Sequence, residues 1–349
     1  MLNSLSKFNF NKHLMLLTCG IALSACQPAY QPTADSSPAS AATAASQHPT
    51  TNARPVIYAS TDLWAAVAKA VAGNAADVIT AVDNPAQDPH AYQASARDKA
   101  DMQQAALVLM NGGGYDDWAQ QIAQSLNPAP RVINAVAISQ PNADETHAHD
   151  DAATPTHDAT QHHHHHGEQN EHVFYQLAAV QQVAHAIAQA LSETNPSQQA
   201  VYQHNAAAFN AQLAQLKTAA QKIGQGKHLT ALATEPVADF LLAEMGIANV
   251  TPAEFVNQLA NDEGVSVKAL HSAEQLLAQK QVDMLVINAQ TEDPASRALR
   301  ATAENMHIPV VTVYETLPTG TTTYIDLMRD TIARFAAASQ HASQTHADN

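Results

Sequence analysis

The sequence predicts an α/β protein of two βα lobes with parallel sheets, joined by a long rigid helix. Three observations carry this. From Arg54 onward short apolar runs alternate with helical stretches, and the same grammar returns after residue 227. Between the two blocks, residues 196–226 keep one helical face, with Tyr202, Phe209, Leu213 and Leu216 recurring at helical spacings. Hydrophobic residues make up 46% of the chain and aromatics only 5%. Roughly 300 residues of Ala-, Val-, Ile- and Leu-rich chain are enough for two cores.

Taken in order, Val56 to Ala59 reads as a strand, and Asp62 to Ala72 as a helix stopped by Gly73. Strands follow over Asp77 to Val82, Ala106 to Met110 and Val132 to Ile138. Residues 142–170 break the pattern with an Asp-, His- and Thr-rich insert containing five consecutive histidines, His162, His163, His164, His165 and His166. Val173 to Leu191 is helical, and Ser197 to Ile223 forms the linking helix, about 40 Å long at about 1.5 Å per residue. The second block reads as a strand over Leu229 to Thr234 and a helix over Pro236 to Met245. It continues with a helix over Ser272 to Lys280, a strand over Val282 to Asn288 and a helix over Pro294 to Met306. A strand over Pro309 to Tyr314 and a helix over Tyr324 to Ala338 close it. The expected layout is an N-terminal lobe over 54–195, the linking helix over 196–226, a C-terminal lobe over 227–338 and a disordered tail over 339–349.

The first residues address export. Lys7 and Lys12 precede a short apolar stretch from Leu14 to Leu23, too short to span a membrane. Leu23-Ser24-Ala25-Cys26 is similar to a bacterial lipoprotein cleavage site. Residues 1–25 are therefore expected to be a signal peptide. Residues 26–53 would be a lipidated Cys26 and a flexible Ala-, Ser- and Pro-rich tether. Only Cys19 and Cys26 occur in the chain, so no thiolate is left for the folded part, and any metal must be held by nitrogen and oxygen. With 32 acids against 16 bases, nucleic acid is excluded as a partner.

In open parallel sheets, ligands gather beyond the carboxyl ends of strands. Four residues qualify. His90 follows the second strand, in Asp88-Pro89-His90, and His172 stands where the insert ends and a helix begins. Glu235 and Glu315 end strands of the second block, in Thr234-Glu235-Pro236 and Tyr314-Glu315-Thr316. Two imidazoles and two carboxylates suit a divalent cation. Singly, a loop histidine is more often a surface residue and a strand-end glutamate more often a solvated one. Because a histidine must be neutral to bind, affinity is expected to fall as pH drops through about 6.5.

These segments resemble the zinc/manganese solute-binding lipoproteins of bacterial ABC transporters, cluster A-I. The resemblance runs from about Pro55 to Ala338. It includes Asp-Pro-His at 88–90, Asn-Gly-Gly-Gly-Tyr-Asp-Asp-Trp at 111–118 and Asn-Glu-His-Val-Phe-Tyr at 170–175. Ala-Thr-Glu-Pro at 233–236, Asn-Ala-Gln-Thr-Glu at 288–292 and Glu-Thr-Leu-Pro-Thr-Gly at 315–320 complete it. The resemblance implies a metal site in the interlobe cleft with His90, His172, Glu235 and Glu315 as ligands, and an ABC permease as partner. It also implies a monomer outside the cytoplasm. The histidine-rich insert resembles that of zinc members, whereas Glu235 stands where zinc members carry histidine and manganese members glutamate. Zn2+ is the expected cargo, with Mn2+ the alternative and the insert an accessory metal collector. Two other readings are a metal-buffering or adhesion-associated lipoprotein without a transporter and, from another class, a zinc hydrolase. The hydrolase is disfavoured because no His-Glu-x-x-His motif occurs and four protein ligands would close the site.

Overall fold

The computed structural model describes residues 54–85, 87–140, 170–260 and 264–347. The expected signal peptide, Cys26, the tether and the run His162 to His166 lie outside these residues.

Among the described residues, eight strands form two all-parallel sheets. The first contains β1 (Val56–Thr61), β2 (Asp77–Val82), β3 (Leu107–Met110) and β4 (Arg131–Asn134), in the order β2-β1-β3-β4. The second contains β5 (Leu229–Ala233), β6 (Ile247–Asn249), β7 (Met284–Asn288) and β8 (Val310–Val313), in the order β6-β5-β7-β8. The topology is thus repeated. Parallel strands need crossovers, and here helices supply them: α1 (Asp62–Ala72), α2 (Ala96–Gln104) and α3 (Asp117–Ser125) in the first lobe. In the second they are α7 (Asp239–Met245), α8 (Ala253–Ala260), α9 (Val267–Ala278) and α10 (Pro294–Asn305). Between the sheets run α4 (Ala135–Ser139), α5 (Leu177–Thr194) and α6 (Gln199–Gly224), and α11 (Tyr324–Ala347) closes the chain.

Burial on both faces explains the continuous apolar strands. In β1, Ile57 and Ala59 point into one core while Tyr58 points into another, on the opposite side of the sheet. The larger core is continuous through both lobes. It takes in β1, α1, α5, the buried stripe of α6, β5, α7 and α11. Two smaller cores lie on the outer faces, under α2 and α3 in one lobe and under α9 and α10 in the other. The α6 stripe is Tyr202, Ala206, Phe209, Leu213, Leu216, Ala220 and Ile223, alternating steps of four and three. At about 1.5 Å per residue, α6 is about 39 Å long.

Several elements differ from the sequence reading. The fourth strand ends at Asn134 rather than Ile138, because Asn134 caps a helix: its Oδ1 accepts from the Ala137 N–H at 2.9 Å. The expected helix at 236 opens with a turn of 3-10 helix over Pro236–Ala238 before α7. The closing helix does not stop at 338. It continues to Ala347, and Ala338 and Ala342 are still buried against the main core, so the tail expected to be disordered from 339 is helical there. The short β6, and the helices α2 and α8, were not foreseen. Among the described residues, no helix is long and apolar enough to cross a membrane.

Candidate metal centre

The centre is built where the strands of both sheets end. Glu315 follows β8 and is fully buried. Its Oε2 lies 3.1 Å from His90 Nε2 and 3.6 Å from His172 Nε2. One ligand atom from each of His90, His172 and Glu315 falls within 4.8 Å of the others. Glu235 is not in that group. Its carboxylate, at the end of β5, is held by the Thr291 hydroxyl on Oε1 and by the Asn288 amide, which donates to Oε2 at 2.9 Å. The same Asn288 nitrogen donates to Glu315 Oε1 at 2.5 Å.

Each imidazole is oriented by its own neighbours. Asn170 Oδ1 lies 2.8 Å from His172 Nδ1 and accepts the His172 backbone N–H at 2.9 Å. An accepting oxygen fixes the proton on Nδ1, leaving the lone pair of Nε2 on the side of Glu315 Oε2. That Nε2 is buried and has no hydrogen-bond partner, as expected of a donor reserved for a cation. His90 sits in a loop whose Asp88 carboxylate accepts the His90 backbone N–H at 2.9 Å. Two residues on, Tyr92 ties the loop down: its hydroxyl donates to Asp98 at 2.9 Å and its ring lies 4.8 Å from that of Trp118. The Tyr115 ring packs edge-on against His90 at 4.5 Å. The His90 side chain is 23% exposed, against 4% for His172, so the centre opens to solvent on the His90 side.

Electrostatics follow from the burial. Desolvation by itself lowers the His90 pKa, but the hydrogen bond and charge of Glu315 outweigh it and push it up to about 9. Burial alone would lower His172 too, but the Glu315 carboxylate, 3.6 Å from its Nε2, raises it. Burial works to raise Glu315, yet the two histidines hold it well below the usual carboxylate range. Glu235 is pushed up to about 7, first by burial and then by the charge of Glu315. A cation must therefore compete with a proton at the His90 ring. The pH window expected at about 6.5 for a free imidazole moves upward at His90, because its ring faces an anion.

The glycine run is structural. Gly112, at φ +82°, passes so close to Asn134 that a Cβ would sit 2.1 Å from its Oδ1. The turn brings Asp116 back to accept the backbone N–H groups of Asn111 and Gly112, at 2.7 and 2.8 Å. Asn111, fully buried, then donates to Glu171 O at 2.9 Å, beside His172. Glu292 and Asp293 take ordinary roles, one pairing with Arg300 at 2.7 Å and the other capping α10.

Sequence reasoning passed over Asn288, Asn111, Asn170 and Asp62. Each lies within two residues of a strand end or of a candidate ligand, and that position was the available signal. Asp62, read only as the first residue of a helix, accepts the Leu317 N–H across the lobes at 2.9 and 3.1 Å.

Solved structures share this architecture. The periplasmic zinc-binding protein TroA from Treponema pallidum superposes with a TM-score of 0.64 at 16% identity, covering 82% of this chain and 99% of that one. The solute-binding protein FpvC from Pseudomonas aeruginosa, in complex with Mn2+, gives 0.62 at 20% identity, covering 82% and 98%. A Mn-bound periplasmic metal-binding protein from Candidatus Liberibacter asiaticus gives 0.60 at 18% identity, covering 82% and 99%. A comparison with curated proteins finds no significant match. The family match sets the class, a two-lobed metal-binding solute-binding protein of ABC transporters. The chain belongs to the ZnuA family, zinc-uptake complex component A, periplasmic, which it matches over residues 57–338.

Proposed function

We propose that this protein captures zinc outside the cytoplasm at His90, His172 and Glu315, with Glu235 as the adjoining fourth donor, and delivers it to the permease of an ABC importer. The observation that carries the site is the convergence of three donor atoms from both lobes within 4.8 Å, one of them the orphaned Nε2 of His172. Nitrogen donors favour zinc over manganese, and raw affinity at such sites runs the same way. Manganese is the second reading, supported by the additional carboxylate of Glu235. Cys26 is the proposed lipid attachment point. His162 to His166 are proposed to collect metal weakly rather than to form the tight site.

The test is competitive titration of residues 27–349 with zinc and manganese, beside His90→Ala and His172→Ala. One tight zinc equivalent per chain, lost in both variants, is expected; full retention in either would remove that residue from the site. Deleting residues 142–170 should leave the tight equivalent in place. We read the protein as a carrier rather than a hydrolase, so turnover of ester or peptide substrates by the zinc-loaded protein would refute that reading.

A further inference from the structure

We infer that Asn288 and Thr291 limit how many oxygens the centre offers a cation, and so bias it towards a four-coordinate ion and against a six-coordinate one. This rests on the reading that His90, His172 and Glu315 hold the ion.

β7 lies between β5 and β8, and Asn288, its last residue, pairs in register with Val313 of β8. The chains leaving β5 and β8 carry Glu235 and Glu315, so a side chain at the end of β7 can reach both. Asn288 is 1% exposed and does so with a single amide nitrogen, which donates to Glu235 Oε2 at 2.9 Å and to Glu315 Oε1 at 2.5 Å. The orientation of the amide is not arbitrary. Its Oδ1 accepts the Gln290 N–H at 3.2 Å, and the flipped amide would set a carbonyl oxygen against two carboxylates. Thr291 donates to the other oxygen of Glu235.

Glu315 has one oxygen engaged by Asn288 and presents only Oε2 to the histidines. Both oxygens of Glu235 are engaged. The centre therefore presents two nitrogens and one oxygen, with a fourth position for a water or for one Glu235 oxygen. That suffices for tetrahedral zinc. Manganese favours six donors, mostly oxygen. Supplying them would require the carboxylates to bind through both oxygens, and would strip Asn288 of its partners in a buried place. The clamp therefore lets a glutamate occupy this position while the site keeps a low coordination number.

The test compares the parent protein with Asn288→Ala, Thr291→Val and the double variant. Two quantities are read: the ratio of zinc to manganese dissociation constants, and the visible absorption of bound Co2+, intense for four-coordinate and weak for six-coordinate geometry. We expect the parent to give the intense bands. Asn288→Ala should weaken them and narrow the zinc-over-manganese ratio by about 10-fold or more, the scale on which partners of ligands act. A simple loss of packing would weaken both metals together and leave ratio and spectrum unchanged; that result overturns the inference. Should Asn288→Ala fail to fold, Thr291→Val alone must move both quantities in the same direction. His90→Ala, measured in parallel, separates the two ideas: retention of tight zinc there defeats the assignment of the site itself, whereas loss there with an unmoved ratio in the clamp variants defeats only the clamp.

Discussion

The two sheets have the same strand order, yet they furnish the candidate metal centre differently. In the second sheet, Glu235 and Glu315 each stand two residues beyond a strand, β5 and β8, so the ladder itself delivers them. In the first, His90 lies well beyond the end of β2, and His172 arrives from a distant stretch of chain. Each lobe nevertheless places a buried asparagine just beyond or at the end of its third strand: Asn111 after β3, Asn288 closing β7. Asn288 grips side chains, namely the two carboxylates. Asn111 grips backbone, at Glu171 O, and is gripped in turn by the Trp64 indole N–H at 3.1 Å. The contrast teaches that donors delivered by strands need only their side chains aimed, whereas donors delivered by loops need the main chain pinned first.

The largest way to break this picture is Glu315→Ala. It removes the anion that both histidines face, and zinc affinity should fall by more than the roughly 100-fold that a supporting residue accounts for, as read by competition with a chromophoric chelator. Asn111→Ala comes next. It orphans the buried Trp64 N–H and releases Glu171, so denaturant unfolding should show a loss of about 2–3 kcal/mol, with zinc affinity down roughly 10- to 100-fold through misplacement of His172. Gly112→Ala follows, at a cost of about 1–3 kcal/mol from the positive φ, with the clash against Asn134 adding to it. The matching position after Asn288 already carries a Cβ, as Ala289, so the penalty belongs to the first lobe alone.

The smallest effect lies on the seam between the lobes. Burial pushes the Asp62 carboxyl up to about 6, against the lowering pull of the Leu317 and Leu63 N–H groups. An acid with a folded pKa above its unfolded one binds its proton more tightly in the fold. It therefore adds stability as pH falls from about 6 towards about 4, and withdraws it as pH rises. Asp62→Asn can still accept from Leu317. It should melt higher than the parent at neutral pH, by about 1–2 kcal/mol in stability, and the gap should close near pH 4.

The fold was legible because its signals are periodic and long: the apolar runs of β1, β3, β5 and β7, and the α6 stripe. As candidates, Glu235 and Glu315 were legible by position at strand ends, and His90 and His172 within recognisable motifs. That the three donors His90, His172 and Glu315 meet while Glu235 is held aside was not, because it depends on which hydrogen bonds Asn288 and Thr291 make once β5, β7 and β8 lie side by side. Short elements failed for a related reason. β6 has three residues and a single buried one, too few to show a period, and β4 appeared longer because the apolar residues of α4 follow it without a break.

The phenol of Tyr175 reaches the end of β8 and there does the work of a strand. Its oxygen donates to Tyr314 O at 2.9 Å and accepts the Tyr314 N–H at 3.0 Å, so both backbone groups of that residue are satisfied by one side chain. β8 is an edge strand, and an open edge invites pairing with a second chain. A tyrosine that begins in the first lobe thus seals part of the edge of the second against self-association. Its removal as Tyr175→Phe should therefore surface as aggregation on prolonged storage before it surfaces as lost metal.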